Sequence, residues 1–258
     1  MHIIDRYAYS NRIRTIDPAQ KAGLALSVLA LCLVSNEPLV GLTAVVWMWG
    51  LAVWLARLSG WTFARVLFAE CLFFVLTTIG VAISVSLSDP RPLADWALPV
   101  GPIWVSTSLA GLNLALHLIS RALGATAAMN FLALTTPLVD LVELFRRWRV
   151  PVLLIDLMTI IYRFIFVLLE SLDRMYMAQD SRLGYHTSFS RMMTSAGLLG
   201  SRLFIDAYQR SQRLQTALES RGFEGDLKVL PYHYRFDHKT LWASMAVVVS
   251  LILVWIFL

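Results

Sequence analysis

The stretch IWVSTSLAGLNLALHLISRALGATAAMNFLALTT, residues 103–136, decides the fold. It is almost wholly apolar for 34 residues, with Arg121 and Gly124 near its middle. About 20 residues are enough to cross the hydrocarbon of a bilayer. The run is therefore either one helix that outreaches the membrane or a hairpin of two short ones. Working outward, residues 22–35, 38–56, 66–88 and 241–258 are further apolar segments. The first has only fourteen residues, so it must borrow flanking residues or tilt. With a single helix at 103–136 there are five spans, and the N-terminus, the loop at 57–65 and residues 140–240 share one side. That side then holds twenty of the 22 Lys and Arg, with Arg91 in the opposite loops and Arg121 inside the span. A hairpin would destroy this asymmetry. Cytoplasmic loops carry the excess of Lys and Arg. The single helix follows, with the N-terminus and the long basic segment cytoplasmic and the C-terminus outside.

Composition agrees. The chain is 58% apolar and only 15% charged, with a mean hydropathy of +0.65, whereas soluble domains carry about 25% charge. The start, residues 1–21, is polar and charged, and no cleavage pattern follows the first apolar stretch, so no cleavable signal peptide is expected. A net charge of +5 could suggest nucleic acid, yet the basic residues lie where membrane orientation requires them and no groove-reading motif accompanies them. Nucleic acid is excluded as a partner. Cys32 and Cys71 sit in apolar runs without CxxC spacing and read as buried small hydrophobes.

These patterns divide the chain into residues 1–137 (an N-terminal segment and four spans), 138–234 (a cytoplasmic region) and 235–258 (the last span). The middle region differs in kind. Leu138, Leu141, Val142, Phe145 and Trp148 recur at steps of three and four, which predicts a short amphipathic helix. Pro151 suits the first turn of a second helix, over about 152–182, that Gly184 can close as a left-handed cap. A third helix is expected over about 188–220, with Leu199, Leu203, Leu214 and Leu218 in one stripe and Gly222 as its stop. These helices are too polar to span and too apolar to lie free in water, so they pack on membrane, partner or both.

Sites for chemistry are scarce. No glycine-rich loop ending in Lys and Ser or Thr is present to cradle phosphates, so any ATP is hydrolysed by another chain. His2, His117, His186, His233 and His238 are scattered, without metal-ligand spacing. Glu70, Asn113, His117 and Arg121 are polar groups inside spans, which are costly in lipid. Asn113 and His117 share a helix face, and bonding between helices explains them better than a transport path. Two tripeptides stand apart: Ser181-Arg182-Leu183 and Ser220-Arg221-Gly222, 39 residues apart, each ending a long helix close to a glycine. One arginine at a helix end complements the helix dipole and needs no further explanation. Two parallel solutions present two guanidinium groups that pair well with carboxylates in a dry interface.

The blocks LTTPL (134–138), FRRWRVP (145–151), YRFIFVLLE (162–170), AQDSRLG (178–184) and ALESRGF (217–223), in this order, closely resemble the transmembrane coupling (T) subunit of energy-coupling factor transporters. The opening IDRYAYSN (4–11), with Asp17-Pro18 and Lys21, looks like its cobalt branch, CbiQ. The resemblance implies an all-α polytopic membrane protein of about five spans plus amphipathic coupling helices, a non-catalytic scaffold without cofactors in the bacterial inner membrane. It implies that the chain joins a substrate-binding membrane subunit of the CbiM type to a pair of ABC-type ATPases, for import of cobalt or nickel ions. Carried over, Ser181, Arg182 and Leu183 and Ser220, Arg221 and Gly222 are the ATPase-coupling residues. Small residues often flank the arginine in that family, and Leu183 departs from this. The alternative is a stand-alone secondary transporter or channel with Asn113, His117 and Arg121 in its path. It would show an internal repeat of spans, and none is visible.

Overall fold

The computed structural model describes residues 3–35, 37–86, 96–100, 103–185, 188–223 and 234–257. They form helices α1 (Ile3–Ser10), α2 (Pro18–Val34), α3 (Pro38–Trp54), α4 (Gly60–Ala82), α5 (Leu109–Thr135), α6 (Leu138–Arg147), α7 (Val152–Asp180), α8 (Phe189–Glu219) and α9 (His238–Phe257). Strands β1 (Ile83–Ser86), β2 (Trp96–Val100) and β3 (Ile103–Thr107) lie between α4 and α5. They make an antiparallel sheet in the order β1-β3-β2, with Val85 opposite Val105 and Leu98 opposite Val105 on the other edge. The all-α polytopic architecture holds, with this small sheet added to it. The sheet corrects two boundaries. Residues 103–107 are a strand and not the start of the fourth span, and residues 83–86 are a strand and not the end of the third. Short Val- and Ile-containing runs beside Pro and Gly can be strand or span by composition alone.

The chain separates into two compact units, one of residues 2–137 and 233–258, the other of residues 138–232. In the first, α5 is the central helix and packs against α1, α2, α3 and α4, while α9 lies on α2 and α3. Val28, Ala44, Met48, Ala127, Ala128 and Phe131 are its wholly buried core. Large apolar side chains also face outward, with Trp54, Trp61, Phe68 and Phe73 exposed, as expected of a protein solvated by lipid. By length and composition, residues 60–80, 111–135 and 238–257 can each cross a membrane. At 17 residues, α2 and α3 reach about 25 Å. The short first span does borrow flanking residues: α2 starts at Pro18, with Asp17 accepting a hydrogen bond from the Ala19 amide at 3.0 Å.

Two of the polar groups of the spans, Arg121 and Glu70, find protein partners, whereas His117 keeps a buried Nδ1 without one among the described residues. Arg121 donates from Nε to the Cys32 carbonyl at 3.2 Å, from Nη2 to Ser35 at 3.1 Å, and also to Leu33. It closes the C-terminus of α2, whose last carbonyls have no partner within the helix. Glu70 on α4 accepts a hydrogen bond from Asn130 on α5 at 2.7 Å. A Cβ on Gly41 would stand 2.1 Å from the Ser120 carbonyl oxygen, and one on Gly124 would stand 2.9 Å from the Gly41 Cα. The backbones of α3 and α5 touch there, the close approach that small residues allow between helices in lipid.

Candidate coupling site

In the second unit α7 and α8 run antiparallel. Ser195 Oγ, near the start of α8, donates to the Gly184 carbonyl at 2.9 Å. Farther along, buried Ser171 on α7 donates to Asp206 on α8 at 2.8 Å, and Arg210 Nε donates to the same carboxylate at 2.9 Å. The Arg210 guanidinium, and after it the Ser171 hydroxyl, hold the Asp206 carboxyl below the usual carboxylate range. Leu199 is buried on this side of α8, and Leu203, Leu214 and Leu218 are half-buried, in agreement with the expected stripe. Tyr176 and Tyr185 stack at 4.9 Å, and Tyr185 donates to the Gln179 side chain at 2.9 Å, fixing the turn after α7.

The two arginine tripeptides end their helices in one and the same way. After α7, the Leu183 amide donates to Asp180 at 2.9 Å and the Gly184 amide to Gln179 at 3.0 Å. After α8, the Gly222 amide donates to Glu219 at 3.0 Å and the Phe223 amide to Leu218 at 3.1 Å. Each is a complete Schellman motif, which returns the last carbonyls of a helix to amides beyond it. Each serine hydroxyl bonds back four residues, Ser181 to Met177 and Ser220 to Thr216. The left-handed residues are Leu183, at φ 60°, and Gly222, at φ 70°. Gly184 was expected to hold that conformation; the turn instead places Leu183 there, one residue earlier, so the tripeptides match position for position. Arg182 and Arg221 each stand just before the left-handed residue, both exposed. Neither has an ion pair among the described residues.

Antiparallel pairing sets the distance between them. Arg182 is two residues from Gly184, which touches Ser195; Arg221 is 26 residues beyond Ser195, just past the end of α8. At 1.5 Å per residue the arginines are roughly 40 Å apart.

The remaining sequence candidates do not assemble into a path. His117 lines a groove of about 390 Å³ with Ser35, Glu37, Leu114, Leu118 and Arg121, whereas Asn113 is exposed outside it. Arg121 is engaged with α2. His2, His186 and His233 lie outside the described residues, and no group of three His, Cys, Asp or Glu that could hold a metal occurs among those described. Cys32 and Cys71 are free thiols. One expectation about this unit is corrected: by length and composition α7 is long and apolar enough to cross a membrane, so the region is not uniformly too polar to span. Lys21, Asn130 and Asp206 carry hydrogen bonds that sequence reading missed. Asn130 could have been found, because it is polar and sits inside a span; Lys21 and Asp206 look like ordinary charges at helix ends and on helix faces.

Comparison with known proteins decides the family. The model of the family described as "CbiQ: Cobalt transport protein" matches residues 9–232. The chain belongs to that family. The CbiQ cobalt transport protein of Salmonella typhimurium is 29% identical over 223 residues, 86% of this chain and 97% of that protein. The energy-coupling factor transporter transmembrane protein EcfT of Staphylococcus aureus is 29% identical over 245 residues, 89% of this chain and 87% of that protein. A protein of Methanocorpusculum labreanum described as a fused cobalt transport protein CbiMQ is 28% identical over 253 residues, 98% of this chain and 41% of that protein. The CbiQ-family chain is thus a multi-pass membrane component of a cobalt-type energy-coupling factor transporter.

Proposed function

We propose that this CbiQ-family chain is the coupling subunit of an importer for cobalt, or its close analogue nickel, and carries the motion of two ABC-type ATPases to a CbiM-type substrate subunit. The observation that supports this most is the pair of matching arginine ends, roughly 40 Å apart at 1.5 Å per helical residue. Arg182 and Arg221 each dock in one ATPase, with Ser181 and Leu183, and Ser220 and Gly222, shaping the helix ends that enter. A fused CbiMQ relative supports the identity of the substrate subunit. The basic segment, residues 138–234, faces the cytoplasm of a bacterial inner membrane, as the placement of Lys and Arg favours. ATP binding closes the ATPases, the bound helix ends move, and α7 and α8 pass the displacement on. Coupling of this kind requires contacts that differ between the two states, and two separated anchors can sense one closing motion.

The test is co-purification in detergent of the chain with the ATPases and the substrate subunit. Removing one partner of a buried, hydrogen-bonded charge pair costs about 2–5 kcal/mol. Arg182→Ala with Arg221→Ala should therefore lose the ATPases while keeping the substrate subunit. Intact association and uptake in the double variant would defeat the docking assignment.

A further inference from the structure

The turn between α6 and α7 carries a cluster that ATPase docking does not use. Arg146, Arg147 and Arg149 surround Trp148, which is 56% exposed, and Val152, Leu153 and Leu154 follow directly, with Leu153 78% exposed. The turn is fixed. The Arg149 amide donates to Arg146 at 3.1 Å and the Val150 amide to Phe145 at 3.2 Å, with Arg149 in the left-handed region at φ 59°. Phe145 and Trp148 are in ring contact at 6.0 Å, and Val142 and Leu144 on α6 are buried. Arg146 has only a long contact, 3.9 Å, to Glu143, and Arg149 makes no ion pair among the described residues.

Exposed Leu153, Leu154, Leu157, Ile161 and Ile165 continue as one apolar stripe along α7, while Arg163 and Glu170 lie on another face. Water would solvate the arginines but not Trp148, Leu153 and the stripe. A protein groove would cover the stripe but would also have to set a carboxylate against each desolvated arginine. The bilayer interface satisfies both, because apolar side chains enter the acyl boundary while cations meet headgroup phosphates.

We propose that the α6–α7 corner is a binding site for anionic phospholipid. Arg146 and Arg149 hold the headgroup phosphate, Trp148 lies at headgroup depth, and Leu153 inserts below it. The site gives the second unit a fixed point on the membrane surface while its far helix ends move. This rests on the coupling reading for its purpose, but not for its test.

The experiment uses the full-length chain in detergent and measures retention of phosphatidylglycerol against phosphatidylcholine of the same acyl chains by native mass spectrometry. Wild type should prefer phosphatidylglycerol. Because each basic residue near a charged surface contributes to binding, Arg146→Gln with Arg149→Gln should lower that preference roughly thirtyfold. Arg146→Lys with Arg149→Lys should keep most of it, and so should Arg191→Gln with Arg202→Gln on α8. No preference in wild type, or an unchanged preference in the corner glutamine variant, overturns the proposal. So does loss of preference in the lysine pair, which would mean a damaged turn. If the glutamine pair keeps its lipid but loses the substrate subunit, the corner is a protein contact and the lipid site is wrong. Failure of the docking assignment appears separately, as ATPase binding that survives loss of Arg182 and Arg221.

Discussion

Lys21 on α2 and Thr135 on α5 are joined by a hydrogen bond of 3.2 Å from Nζ to the carbonyl oxygen, and the lysine is wholly buried. The same ammonium donates to the Ile13 carbonyl at 3.2 Å. Asn11 adds a bond from Nδ2 to the Thr135 carbonyl at 3.1 Å. Three pieces of chain are thereby tied at the C-terminal end of α5, two residues before Pro137. A buried cation is well placed there, since the last carbonyls of a helix carry its partial negative charge.

Lys21→Met keeps the stem and removes the donor. Hydrogen bonds to a charged group contribute about 1.5–3 kcal/mol, so this variant should lower the thermal midpoint in detergent and loosen residues 11–16 to hydrogen exchange. Lys239→Met, on the first turn of α9 and exposed, serves as the control and should change neither. Equal behaviour of the two would mean that the buried bonds contribute nothing.

The α3–α5 crossing makes a sharper prediction. A methyl group at Gly41 has no space, because its carbon would lie 2.1 Å from the Ser120 carbonyl oxygen, whereas one at Gly50 on the same helix meets nothing within 4 Å. Overpacking typically costs about 1–3 kcal/mol, and here the obstacle is backbone. Gly41→Ala should reduce stability and yield by that order, while Gly50→Ala should be neutral or better, since alanine favours the helix. Thermal scans of both in one detergent measure the difference, and a neutral Gly41→Ala would mean that the helices separate easily.

The membrane helices were largely legible in the sequence, because lipid leaves an apolar run for each span. The long α5 was read correctly as one helix, and the structure supplies what composition could not: Arg121 closes α2. What escaped reading depends on distant partners. Residues 103–107 continue an apolar run, and only pairing with residues 83–86 and 96–100 makes them a strand. The arginine tripeptides were visible as a repeat. That Leu183, and not Gly184, takes the left-handed position was hidden, because propensity favours glycine there while the Schellman bonds fix the residue by its place in the turn. The separation of the two arginines depends on the antiparallel sense of α7 and α8, which a single sequence does not state.

Asp206 makes the α7–α8 pair sensitive to acid. Its folded pKa lies below the unfolded value, with the bond from Arg210 as the largest cause and that from Ser171 next. A depressed carboxylate contributes stability that is present above the unfolded pKa and is lost as pH falls through the folded one. Wild type should therefore loosen between α7 and α8 below about pH 4, the ordinary range of an aspartate. Asp206→Asn should be looser at neutral pH and lack that step. Exchange of the amides around residues 171 and 206, followed from pH 7 to pH 3, measures both, and an unchanged acid profile in the variant would assign the step to another group.

The matched helix ends predict opposite responses to a matched exchange. At φ near 60° a residue with a side chain is strained by roughly 1–2 kcal/mol, and glycine is not. Leu183→Gly should therefore relieve the α7 end and leave Arg182 in position, making the first tripeptide identical to the second. Gly222→Leu should strain the α8 end by a similar amount and fray its last turn, where the Phe223 amide meets the Leu218 carbonyl at 3.1 Å. Exchange rates of the Leu183 and Gly184 amides should fall or hold in the first variant, and those of residue 222 and Phe223 should rise in the second. If the arginines dock by way of these turns, Gly222→Leu should also weaken ATPase co-purification although Arg221 is untouched, while Leu183→Gly should not. Weakening by Leu183→Gly alone would mean that the exposed leucine itself enters the ATPase, and that the two ends, alike in backbone, are read differently by their partners.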